Sequence, residues 1–158
     1  MNPRKAKYLE FTHLEKSFPT PNGEPYVVVE DFDLSVAEGE FVCLIGHSGC
    51  GKSTILSILA GLAHATKGGV ILDGREVTEP GPDRGIVFQQ PNLLPWMTAQ
   101  ENVLLAVAAV AHGRSRRDKL EIAAHYLGLV GLADALHKRP HELSGGMRQR
   151  VGIARAFA

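Results

Sequence analysis

Gly46-His47-Ser48-Gly49-Cys50-Gly51-Lys52-Ser53, followed by Thr54, fits the pattern G-x-x-x-x-G-K-[ST] in full. Each fixed type has a physical task. Glycines let successive backbone N–H groups turn inward and crowd around phosphate oxygens without a Cβ in the way. Lys52 adds a mobile positive charge for the β- and γ-phosphates, and the Ser53 hydroxyl can complete a Mg²⁺ shell that otherwise keeps several waters. The bland reading is a Gly-rich structural turn, but four fixed positions would match by chance in a chain of this length about 0.5% of the time. A second constellation, Leu143-Ser144-Gly145-Gly146-Met147-Arg148-Gln149-Arg150, opens an apolar pattern at 147, 151, 154 and 157 that shares one helical face. Ser144 is placed to cap that helix, and the small residues behind it would let an anion approach its N-terminus. An ordinary capped helix would look the same.

These residues need elements that position them. Phe41-Val42-Cys43-Leu44-Ile45 is apolar throughout, as expected of a strand buried on both faces of a parallel sheet. Ser53 to Leu62 carries Ile55, Leu56, Ile58, Leu59 and Leu62 at helical spacing, so the order is strand, glycine loop, helix. Upstream, Tyr8 to Thr12, Tyr26 to Val29 and Phe32 to Val36 read as short strands of a β-meander, separated by a Pro19 to Pro25 loop. Val70 to Leu72 runs into Asp73-Gly74, a hairpin-type turn, and Gly85 to Phe88 reads as another buried strand. Asp31 and Asp73 end apolar runs and superficially resemble a metal-binding motif; the structural reading is preferred for both. Thr98-Ala-Gln-Glu101 has capping-box spacing, predicting a helix to His112 and a second from about Arg116 to Leu127.

Composition narrows the classes. The 158 residues are 44% apolar and 22% charged, enough for a buried core, and seventeen basic side chains balance seventeen acidic ones. That balance argues against a nucleic-acid partner. The longest apolar run is far short of the roughly 20 residues that span a bilayer, and Met1 to Lys5 lacks a leader's apolar stretch, so a cytosolic protein is expected. Cys43 and Cys50 read as reduced thiols.

On these motifs the chain resembles the nucleotide-binding subunits of ATP-binding-cassette (ABC) transporters over essentially its whole length. Gly46 to Thr54 is similar to their Walker A motif, Leu143 to Gln149 to their signature, and Gln89 in Val-Phe-Gln to the Q-loop glutamine. The resemblance implies an α/β P-loop NTPase fold with an N-terminal antiparallel β subdomain and an α-helical insert. It implies ATP and Mg²⁺ as cofactors, with Ser53 and Gln89 at the metal and Gln89 also at the attacking water. Phe18 matches the aromatic that stacks on adenine, with Tyr26 as its rival. Two subunits, identical or sister, would pair head to tail so that Ser144, Gly145 and Gly146 of one face the phosphate loop of the other. A membrane permease would dock near Gln89 to Trp96, with a solute-binding protein as an indirect partner, on the cytoplasmic face of the inner membrane. Trp96 is an interface anchor or a core tryptophan. Arg114, Arg116, Arg117 and Lys119 read as a solvated helix start, with anionic lipid or the permease as the alternative, and Arg148, Arg150 and Arg155 as ion-pair partners on the signature helix.

A finer resemblance, in Ile-Gly-His-Ser-Gly-Cys-Gly-Lys-Ser-Thr, Pro-Gly-Pro-Asp-Arg-Gly-Ile-Val-Phe-Gln and Leu-Leu-Pro-Trp-Met-Thr, is to importers of nitrate, nitrite, cyanate, sulfonate and taurine, with His47 and Glu101-Asn-Val-Leu-Leu-Ala-Val closer to the nitrate, nitrite and cyanate branch. The domains expected are 1–90 for the nucleotide-binding core, 91–140 for the helical subdomain and 141–158 for the signature helix. The family's Walker B carboxylates, D-loop and switch histidine would follow beyond Ala158, so a piece of a longer product with an incomplete central sheet is expected. As it stands it would be a nucleotide-binding but non-hydrolysing module. A soluble ABC protein of DNA repair or the ribosome is a third reading, disfavoured by the modest size of the insert.

Overall fold

The computed structural model describes residues 7–158; the Met1 to Lys5 stretch noted above lies outside them. The chain divides into two compact units between Arg84 and Gly85.

In the N-terminal unit, strands β1 (Lys7–Phe18) and β2 (Tyr26–Ala37) pair antiparallel. β1 also pairs with β3 (Lys67–Leu72), and β3 with the short β4 (Arg75–Glu76), giving the order β2-β1-β3-β4. Tyr26 to Val29 and Phe32 to Val36, expected as separate strands, are one strand. What joins them is a bulge. Asp31 takes φ 45° in β2 and His13 φ 45° in β1, and the pairing register shifts between Phe11 and Leu14. An extra residue reverses the in-out alternation, so Phe11 and Leu14, three apart, are both buried. Val29 and Phe32 keep the same spacing in β2, and the Phe32 ring meets Phe11 edge-on, with centroids 5.3 Å apart. Helix α1 (Lys52–Leu59) adds Ile55 and Ile58 to this core. Asp73 and Gly74, at φ 46° and 73°, close the β3–β4 hairpin as the left-handed pair that a type I′ turn requires.

Two expected strands do not form. Phe41–Ile45 and Gly85–Phe88 carry no strand pairing, and Phe41 and Ile45 are 90% and 94% exposed. A both-faces-buried strand needs a hydrogen-bonded neighbour on each side. Among the described residues none pairs with either run; the sheet that forms is antiparallel throughout.

The C-terminal unit packs α2 (Ala99–Val110), α3 (Arg116–Leu129) and α4 (Gly145–Phe157), linked by 3₁₀ turns at Ala133–Ala135 and Pro140–Glu142. Its core holds Val103, Val107, Ala123, Leu127, Leu143, Val151 and Ala154. Of the apolar positions that share one face of α4, Val151 and Ala154 are buried and Phe157 is exposed. No described helix is long and apolar enough to cross a membrane.

Candidate functional site: a phosphate loop, a glutamine loop and a glycine-led helix

The glycine loop runs directly into α1. Gly49 and Gly51 take φ 81° and 90°, and Gly51 is both N-cap residue and a close-approach point: a Cβ there would lie 2.8 Å from Val28 O. A side chain at 51 would need a disfavoured backbone and a shifted β2. The Lys52 ammonium is drawn over the loop, donating to Gly46 O at 2.9 Å, His47 O at 2.7 Å and Cys50 Sγ at 3.3 Å. His47 donates from Nδ1 to Ser48 O.

The helix N-termini differ in a telling way. Thr98 caps α2 and Ser115 caps α3, each within a full capping box, and the Ser144 hydroxyl accepts the Met147 N–H at 3.2 Å. α1 has no capping side chain and no acidic residue in its first turn. Its amide donors and the positive end of its dipole therefore face the loop where Lys52 sits, the donor set a polyphosphate needs. The residues fit ATP. Ser53, at the start of α1, is exposed; in the C-terminal unit Gln89 is exposed as well.

Phe18 and Tyr26, rivals for the adenine, are cross-strand partners at the end of the β1–β2 pair that the 19–25 loop connects. Both are exposed, and the Lys16 ammonium lies 4.9 Å from the Phe18 centroid.

In the C-terminal unit Gly145 and Gly146 are exposed at the start of α4, and a Cβ at Gly146 would meet nothing within 4 Å. The unit's own packing does not demand glycine there. Trp96 is 66% exposed, so the core-tryptophan reading is withdrawn. The loop that presents it is held by Asn102, a fully buried side chain whose structural part the motif reading missed. Its Oδ1 accepts the Leu94 N–H, and its Nδ2 donates to Leu94 O, Met97 O and Thr98 O. A polar residue inside the apolar stripe of α2 was the available signal.

The α4 arginines are also corrected. None forms an ion pair among the described residues; each donates to backbone carbonyls, Arg148 to Pro140 O and Leu143 O, Arg150 to Val130 O and Gly131 O, Arg155 to Pro91 O and Asn92 O. Irregular loops leave carbonyls unpaired, and the forked guanidinium satisfies two at once. Burial lowers the Arg155 pKa from its ordinary value. In the basic cluster Arg117 pairs with Glu121 at 3.1 Å, and Arg116 and Arg117 are exposed, as a solvated helix start requires.

Outside these motifs, His13 Nδ1 and the Asp31 and Asp33 carboxylates lie within 4.8 Å of one another, all exposed. The two bulges bring them together, which strand periodicity alone conceals.

A loop with left-handed glycines, a lysine folded over it and an uncapped helix behind it defines a nucleotide-phosphate binder. The profile of the ABC transporter family matches residues 29–158, and the chain belongs to that family. It is 54% identical over 151 residues to the nitrate import ATP-binding protein NrtD of Synechococcus elongatus, a match covering 96% of this chain and 55% of that one. It is 52% identical over 155 residues to the bicarbonate transport ATP-binding protein CmpD of Synechocystis sp., covering 98% and 55%. Among solved structures, the dimeric post-hydrolysis state of the ATP-binding cassette MJ0796 bound to ADP and Pi superposes with a TM-score of 0.86 at 34% identity. That match covers 95% of this chain and 69% of the other. The chain spans about half the length of these curated relatives. The α/β P-loop fold with an N-terminal antiparallel sheet, which the family resemblance implied, is thereby established.

Proposed function

We propose that the chain is the ATP-binding part of a peripheral subunit that couples ATP binding and hydrolysis to import of a small anion through a membrane permease. The phosphate loop carries the reading: Gly46 to Thr54 leads into a helix with no capping side chain, and Lys52 is already gathered over it. The backbone amides of this loop hold the phosphate chain, and Lys52 neutralises charge at the β- and γ-phosphates. Mg²⁺, when bound, would supply charge neutralisation at the phosphates. Ser53 and Gln89 would hold it, Gln89 would also orient the attacking water, and Phe18, with Tyr26 opposite, would stack on the adenine. Gly145 and Gly146, glycines that the unit's own packing leaves open, suit the approach of a second subunit's nucleotide to a helix N-terminus capped only by Ser144. That second subunit is an identical copy or a sister chain, at the cytoplasmic face of the inner membrane, and a solute-binding protein delivers the cargo to the permease.

The relatives are named for nitrate and for bicarbonate, which supports a small oxygen-bearing anion as cargo; among nitrate, nitrite, cyanate and sulfonate, nitrate is favoured. Calorimetric titration with Mg-ATP tests the core of the reading. The unmodified protein should bind, and Lys52→Ala should weaken binding by at least about tenfold, the scale of a lost charge-assisted contact. Undiminished affinity in the variant would sink the assignment. The cargo is read separately, from which anion stimulates ATP turnover in the reconstituted complex.

A further inference from the structure

Helix α4 holds the Gln89 segment by several independent contacts. Gln149 Nε2 donates to Phe88 O at 3.1 Å, one residue before Gln89. Further along the helix the Arg155 guanidinium donates to Pro91 O at 2.6 Å and Asn92 O at 3.0 Å. Between them Gly152 is buried so tightly that a Cβ would lie 3.2 Å from Pro91 Cβ. At the end of the helix a Cβ on Gly85 would lie 2.7 Å from Ala156 O. Positions 149, 152 and 156 are three and four residues apart and share one face, with 155 beside it. Residues 85–92 have no helix or strand of their own, so their carbonyls depend on these side chains.

The geometry points to Gln149 and Arg155 as positioning residues of a strap that fixes the Gln89 loop to the helix whose first turn is Gly145-Gly146. This inference rests on the functional reading above and goes further, because it assigns a task to the last residue of the signature stretch, Gln149, and to Arg155 beyond it, neither of which that reading placed at the nucleotide. A hydrogen-bonded α-helix is stiff over thirteen residues, so a displacement at Gln89 is carried to the Ser144-Gly145-Gly146 corner, and the reverse. Gly152 sets how closely the strap lies. None of these residues belongs to the phosphate loop, so loosening the strap leaves nucleotide affinity intact and slows turnover.

The test uses the full-length protein assembled with its permease. In Gln149→Leu, kcat for ATP hydrolysis should fall about tenfold while KM, Mg-ATP affinity and melting midpoint stay within about twofold or unchanged. Amide exchange over residues 85–92 should accelerate, with residues 46–54 unaffected. Gln149→Lys, which keeps a donor, should recover most of kcat. Gly152→Ala, which keeps both donors but pushes Pro91 away, should lower kcat like Gln149→Leu. Undiminished kcat in Gln149→Leu overturns the strap. So does a parallel fall of kcat, affinity and melting midpoint, which would make the bond a matter of stability alone, and so does a Gln149→Lys variant as slow as Gln149→Leu. Failure of the unmodified protein to bind Mg-ATP overturns the functional reading instead, and exchange over 85–92 still decides the strap.

Discussion

His13 illustrates what a single backbone irregularity does to a side chain. Its left-handed φ sets it opposite Asp31, equally left-handed, and the Nδ1–H donates to Asp31 Oδ1 at 2.7 Å while Asp33 Oδ1 accepts the His13 backbone N–H at 3.0 Å. The Asp31 hydrogen bond, then the charges of Asp33 and Asp31, hold the imidazolium pKa above its ordinary 6.5. A raised folded-state value means that the contact stabilises the fold fully below the unfolded pKa and ceases to do so as pH rises through the folded one. Titration by NMR should therefore place the His13 midpoint above 6.5, and Asp31→Asn should move it down. The melting difference between the two proteins should be present in mild acid and vanish above the raised midpoint. A His13 midpoint indifferent to Asp31→Asn would refute the pairing.

At the level of elements, the C-terminal helices are set by their starts. In α2 the Thr98 hydroxyl accepts the Glu101 N–H at 3.2 Å and the Glu101 carboxylate accepts the Thr98 N–H at 2.8 Å; Ser115 and Asp118 repeat the exchange in α3. The Thr98 backbone N–H, then its hydroxyl, keep the Glu101 pKa below its ordinary 4.5. That contribution is complete above the unfolded value and is lost as pH falls through the folded one. Thr98→Ala should cost about 1 kcal/mol in denaturant unfolding at neutral pH, as should Ser115→Ala. A pair of neutral substitutions would show that packing, not capping, fixes these starts. The α2 box, the phosphate loop and the Asp73-Gly74 turn were legible because each is contained in one short run of consecutive residues. The bulges were written more faintly, as Phe11 with Leu14 and Val29 with Phe32 at a spacing of three inside strand-like runs. Apolar content alone misplaced Phe41–Ile45 and Gly85–Phe88, because a strand exists only when a partner pairs with it, and pairing is non-local.

At the scale of the molecule, apolar burial is partitioned. Phe11, Leu14, Val29, Ile55, Ile58 and Val70 form one core, and Val103, Val107, Ala123, Leu127, Val151 and their neighbours another, each lying wholly on one side of the Arg84/Gly85 division. The two carry different parts of the chemistry: the phosphate loop is anchored by the first through Ile55 and Ile58, the glycine-led helix by the second through Val151 and Ala154. Local stability follows local cores. Leu127, fully buried between α2 and α4 neighbours, should cost about 2–5 kcal/mol when truncated to alanine, because a large side chain leaves a void that a packed helical core closes only in part. Amide exchange in Leu127→Ala should accelerate across α2, α3 and α4 while β1, β3 and α1 keep their protection and Mg-ATP affinity persists. Equal loss of protection in both units would mean that they unfold as one cooperative body, and the division of labour between the two cores would have to be abandoned.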